Sequence, residues 1–293
     1  MSGLAGKDRR SAANAASLPD YARGAAMIER RPFAELPGED LGWLKTRRHF
    51  LPADHGDHSR HAWGCIRAWD DDEISSNTGF GMQMHADVEI ITFVREGTIT
   101  HRDSLGNEGK VNSGDMRVVS AGTGLRHAEY NMGQSPARIF QIWIAPRSPG
   151  GSPAWGVQPC PKPQRSGCFV AIASGDEADI DALPIRASAR VLNAKIKAGR
   201  PVEYALRRPR LAYLVPSSGI VDVNGERIHA RDGVAISDVE IVKVTAIEDA
   251  DVVMVDVLED SDLGFKNSRR EISRFRSSAG LMGSGWRFGT GVV

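Results

Sequence analysis

The chain has 293 residues, 41% of them hydrophobic and 25% charged, with 37 lysines and arginines balanced by 37 aspartates and glutamates. That length accommodates one large or two moderate domains with a sizeable core, and the zero formal charge gives no electrostatic ground for a nucleic-acid or membrane partner. Cys65, Cys160 and Cys168 are odd in number and lack a Cys-x-x-Cys spacing, which suggests neither a disulfide framework nor a zinc knuckle; no apolar run reaches the ~18 residues of a membrane span, so a cytoplasmic protein is expected.

In chain order, residues 1–27 are rich in Ala, Ser, Gly and Arg without a sustained apolar period and read as a flexible extension. The stretch Asp54-His55-Gly56-Asp57-His58-Ser59-Arg60-His61 reads as a solvated polar loop rather than a metal site. Trp63 to Trp69 is apolar-rich, and Asp70-Asp71-Asp72-Glu73 after it is expected to be a turn whose carboxylates fan into solvent.

The run Met82 to Val94 is rich in apolar and β-branched residues and predicts a strand, on which Gln83, His85, Asp87 and Glu89 share one face. Gly97 to Arg102 predicts the next strand, turning at Gly106-Asn107 before Lys110-Val111. If Arg126 to Tyr130 is extended, His127 and Glu129 also share a face. Two imidazoles and a carboxylate converging from two strands make the facial triad of non-haem iron, with positions left open for substrate or oxygen.

Phe140-Gln141-Ile142-Trp143 closes the first half, and the Pro- and Gly-bearing stretch from Pro146 to Pro163 reads as a linker, whose Trp155 is expected to cover a barrel mouth. The second half repeats the first: a strand over Gly219–Val223, a two-residue hairpin at Asn224-Gly225, and Asp232-Gly233 before Val234-Ala235-Ile236. It carries one histidine, His229, and no His-x-Glu pair, so it cannot build the same site. From about Asp262 the chain turns basic and glycine-rich; a flexible tail is expected, with an arm for nucleic acid, an anionic surface or a neighbouring subunit as the alternative.

Several spaced blocks occur in a telling order. These are Gly79-Phe80-Gly81, His85 with Glu89, His101-Arg102-Asp103-Ser104-Leu105-Gly106-Asn107, Ser113-Gly114-Asp115, and Ser120-Ala121-Gly122-Thr123-Gly124 running into His127-Ala128-Glu129. Over roughly residues 40 to 260 they resemble the pirin family of two-domain cupin proteins. The resemblance implies an all-β bicupin: two tandem antiparallel β-barrel (jelly-roll, double-stranded β-helix) domains packed together. The metal-bearing N-terminal cupin domain would span 28–145, a linker 146–164, a metal-free C-terminal cupin domain 165–261, and the basic tail 262–293.

Carried over position by position, the family's metal ligands fall on Gln83, His85, His127 and Glu129. Glu129 would double as the base that takes the substrate proton, and Glu89 and His101 would support the ligands from behind. Gln83 is the departure, since the family pattern has histidine there and a neutral amide is a weaker ligand. His101 is the one residue placed to compensate for it.

The implied cofactor is iron as Fe2+, or another divalent transition metal. The implied activity is a quercetin 2,3-dioxygenase-like oxidoreductase acting on a flavonol-like aromatic substrate and dioxygen. The alternative of the same family is a metal- or redox-sensing regulatory protein that binds a protein partner without turnover.

Overall fold

The computed structural model describes residues 25–50, 62–160 and 167–259. The polar loop at 54–61, residues 1–24 of the N-terminal extension and the basic tail from 262 lie outside them. Among the described residues the chain is built of strands, apart from a single 3-10 turn at Phe33–Glu35.

The strands run in order as β1 (Met27–Arg31), β2 (Gly38–Asp40), β3 (Leu44–Arg48), β4 (Ile66–Ile74), β5 (Thr78–His85), β6 (Glu89–Glu96), β7 (Thr98–Asp103), β8 (Glu108–Asn112), β9 (Asp115–Ser120), β10 (Leu125–Asn131), β11 (Ala137–Ile144) and β12 (Ala154–Pro159). The second half continues with β13 (Val170–Ser174), β14 (Leu183–Pro184), β15 (Ala189–Ile196), β16 (Pro201–Ala205), β17 (Arg210–Ser218), β18 (Val221–Val223), β19 (Glu226–Ile228), β20 (Gly233–Ser237), β21 (Ile241–Ala246) and β22 (Ala250–Leu258).

Each half is a seven-stranded sheet faced by a four-stranded one. In the first half the orders are β12-β9-β6-β11-β4-β3-β2 and β5-β10-β7-β8; in the second they are β1-β20-β17-β22-β15-β13-β14 and β16-β21-β18-β19. The two orders correspond strand for strand, which is the internal repeat expected from the turn signals. The Asn224-Gly225 hairpin is among them, with both residues at positive φ, +50° and +98°, as a type I′ turn demands.

The closed barrels expected from the resemblance are not present. A barrel needs one ladder of hydrogen bonds that runs round and meets itself. Among the described residues four separate sheets end in edge strands, and each half is an open sandwich of two sheets packed face to face.

Alternation along the central strands explains the layering. In β6, β9 and β11 of the first half, Ile91, Phe93, Met116, Val118, Phe140 and Ile142 point away from the four-stranded sheet. They share one core with Val191, Tyr213, Val215, Val253 and Val255 of the second half, so the two large sheets pack back to back. Inside the second sandwich a single apolar cluster fills the space, with Leu214, Val234 and Met254 facing Val221, Val242 and Val244. Inside the first sandwich the apolar filling is split into two clusters, one around Val94, Ile99 and Ile139, the other around Ile90, Leu125 and Trp143. Polar residues lie between them.

Two local expectations are corrected. The run Met82 to Val94 is two strands, because Asp87 takes a positive φ of +51° and turns the chain from the small sheet to the large one. Gln83 and His85 therefore stay on β5, whereas Glu89 opens β6. The acidic run Asp70–Glu73 is no turn but the middle of β4, with its three aspartates buried. Asp71 is held by Arg95 and Arg231, and Glu73 by Arg138 at 2.9 Å, so paired guanidinium groups replace the water that a turn would have supplied.

The strand β12, within the 146–164 stretch, completes the first large sheet on β9, and β1 completes the second on β20. No helix among the described residues is long and apolar enough to cross a membrane.

Candidate metal centre

β10 lies in the middle of the small sheet, between β5 and β7, and its register assembles the site. His127 stands opposite both Gln83 and Asp103, and Glu129 opposite His101. Directly paired residues of an antiparallel ladder project from the same face, so these side chains all point between the sheets, as does His85 opposite Leu125. An irregularity in the β5 register between His127 and Glu129 spaces the two functional residues apart against β5. His85, His101, His127 and Glu129 are buried, and Gln83 is partly buried.

His101, His127 and Glu129 each offer a ligand atom within 4.8 Å of the others. His85 stands edge-on to His127, with ring centroids 4.8 Å apart. His127 Nδ1 is buried and has no hydrogen-bond partner among the described residues. A buried imidazole nitrogen left without a partner beside a carboxylate is what a metal ligand looks like before the metal arrives. The donor set therefore fits a divalent metal: this His/His/Glu cluster could coordinate one.

Sequence reasoning passed over the residue that faces this cluster from the large sheet. Arg117, on β9, is fully buried; Nη1 donates to His101 Nδ1 at 2.8 Å, Nη2 donates to Thr92 Oγ1 at 2.8 Å, and Nη2 also pairs with the Glu129 carboxylate. Because His101 Nδ1 accepts from arginine, its proton sits on Nε2, which donates to Asp103 Oδ2 at 3.3 Å. Glu129 also accepts from Gln141 Nε2 at 2.7 Å. The available signal was the alternation Asp115, Arg117, Val119, which puts a cation on the inward face of a strand.

Burial, with the Arg117 charge second, lowers the pKa of His85 and of His101 to about 4. The same two causes, in the same order, hold His127 well below the usual imidazole value. All three rings are thus neutral at physiological pH, the state in which imidazole ligates metal. Burial lowers the Arg117 pKa itself to about 9.

Glu89 lies apart from this cluster. It accepts from Ser120 on the neighbouring strand and faces Arg186 of the second half; burial, outweighing these partners, raises its pKa. His229 is exposed in the second half. Trp155 on β12 stacks on His101 with centroids 5.1 Å apart, and Trp143 stands edge-on to His85 at 5.3 Å, so flat indole surfaces flank the histidines.

The comparisons with known proteins agree with this architecture. The family model Pirin matches residues 29–144, and the model described as the quercetinase C-terminal cupin domain matches residues 171–257. A Pirin-like protein of Caulobacter vibrioides is 55% identical over 220 residues, covering 75% of this chain and 95% of the relative. A quercetin 2,3-dioxygenase of Escherichia coli K12 is 30% identical over 221 residues, covering 75% and 94%. The crystal structure of the bacterial pirin YhhW of Escherichia coli in complex with nickel(II) superposes with a TM-score of 0.74 at 29% identity, covering 80% of this chain and all of that one. With the paired sheet orders and a buried His/His/Glu cluster that could coordinate a metal in its first half, the chain belongs to the pirin family and is a bicupin of quercetinase-like build.

Proposed function

We propose that the first half holds a divalent transition metal, iron as Fe2+ foremost, and that the protein is a dioxygenase opening the heterocyclic ring of a flavonol-like substrate. The observation that carries this reading is the unpartnered Nδ1 of His127 within a cluster whose ligand atoms lie inside 4.8 Å, in a chain related to a quercetin 2,3-dioxygenase.

In this reading His127 and Glu129 ligate together with His85, and Gln83 offers its amide oxygen as a weak fourth donor. His101, engaged at both ring nitrogens, orients the carboxylate side of the site. The bound metal would supply Lewis acidity toward the enolic oxygen of the substrate and an electron path to dioxygen. The chain's own part is to keep three imidazoles neutral, to set the Glu129 charge beside them, and to offer the Trp143 and Trp155 faces to a flat aromatic ligand. Glu129 would also take the substrate proton.

The test is the metal content of protein purified without a metal-affinity column, followed by oxygen uptake with quercetin. About one metal per chain, lost in His127→Ala, with oxygen consumed stoichiometrically with flavonol, is the expected result. Metal bound without flavonol turnover would favour the second reading, a non-catalytic metal-sensing regulator with a protein partner. Gln83 and the hold of Arg117 on Glu129 both favour that alternative, because weakened ligation harms turnover more than folding.

A further inference from the structure

Arg117 engages Glu129, one of the proposed ligands, and His101, which supports the ligands from behind. Its guanidinium donates to Nδ1 of His101 and pairs with a Glu129 oxygen, while Thr92 Oγ1 accepts its other contact. The arginine cannot relax outward into solvent. It is completely buried on β9, between Met116 and Val118, which are locked into the core shared with the second half. A divalent ion held by His85, His127 and Glu129 would lie beside a fixed positive charge in a poorly hydrated space, where like charges repel most strongly.

We propose that Arg117 is a resident cation that competes with divalent metal for this cluster, neutralising Glu129 when metal is absent and yielding it when metal binds. The proposal rests on reading the cluster as a metal site and goes beyond it. It makes metal affinity in this chain a balance between two cations for one carboxylate. It also gives the site a stable, charge-compensated form without metal, which a carboxylate buried alone would not have.

The experiment is calorimetric titration of Zn2+ into the metal-stripped full chain at neutral pH, comparing wild type with Arg117→Gln and Arg117→Lys. Glutamine keeps hydrogen-bonding capacity and removes the charge; lysine keeps the charge. The expected result is affinity about 100-fold tighter in Arg117→Gln and within about threefold of wild type in Arg117→Lys. Equal or weaker binding in Arg117→Gln overturns the proposal while leaving the metal site standing. Absence of Zn2+ binding in every chain, wild type included, overturns the metal reading and the proposal with it. If Arg117→Gln does not fold, the wild type carries the test through the Arg117 side-chain Nε–H resonance, identified by its loss in Arg117→Lys. A shift of that resonance saturating with one Zn2+ supports competition, and an unmoved resonance alongside stoichiometric binding overturns it.

Discussion

Arg231 of the second half grips Asp71 of the first in a two-pronged ion pair, with Nε 2.6 Å from Oδ2 and Nη2 3.1 Å from Oδ1. Asp71 is completely buried and shared with Arg95, and the Arg231 guanidinium lies 3.7 Å over the ring of Phe33. Removing the carboxylate leaves two guanidinium groups facing each other without their common partner. Asp71→Ala is therefore expected to cost about 3 to 5 kcal/mol of stability, read as a lower urea midpoint, with both halves melting together because the pair spans them.

Asp87 links fold and site. It turns the chain at a positive φ of +51° two residues after His85, and its carboxylate accepts the Gly150 N–H at 2.6 Å. Asparagine tolerates that conformation and can still accept the bond, whereas alanine does neither well. Asp87→Asn should be close to neutral, and Asp87→Ala should destabilise by about 2 kcal/mol. Denaturant titration of the two variants side by side checks the contrast; equal losses would remove the argument.

The three inward histidines set an acid limit. Burial lowers His85 and His101 to about 4 in the folded chain, below the ordinary 6.5 of the unfolded chain, and holds His127 well below that ordinary value too. Between pH 6.5 and 4 the unfolded chain therefore binds more protons than the folded one. Stability is flat above 6.5 and falls as the pH drops through that window, with a limiting slope of about 1.4 kcal/mol per pH unit for each histidine. Glu89 and Asp251, whose pKa values burial raises, act in the opposite sense, gaining protons in the folded state as the pH falls toward the carboxylate range. The expected outcome is that the three histidines outweigh the two carboxylates, so that metal-free protein shows a falling denaturation midpoint as the pH drops below 6.5.

Local chemistry made much of this structure legible. A period of two fixed His127 and Glu129 on one face, positive-φ turn residues marked Asn224-Gly225, and the repetition of these signals showed the duplicated plan. What escaped was decided by partners distant in sequence. Four consecutive acids look like a turn until Arg95, Arg138 and Arg231 arrive from other strands. Nothing around Ala86-Asp87 carries the Gly or Pro that usually announces a break, because the turn is held by the Asp87 N–H donating to the Gly122 carbonyl and by the Asp87 carboxylate accepting from the Gly150 N–H. Arg117 sits among valines, and only the opposite sheet supplies the Glu129 that explains it. Whether sheets close into a barrel depends on edge geometry that no strand pattern encodes.

The first strand among the described residues belongs to the last sheet to be made. β1 lies against β20, and Arg30 donates to Asp232 across 202 residues of sequence. On the ribosome β1 is exposed long before its partner exists, while the first sandwich, edged by β12, can close on its own strands. The second half cut free after the 146–164 stretch would lack this strand, and β20 would present a bare ladder of peptide groups to any neighbouring chain. The N-terminal segment thus works as a clasp fastened late in synthesis, and dividing the protein at the boundary between its two repeats would produce one fragment able to finish its sheet and one prone to aggregate.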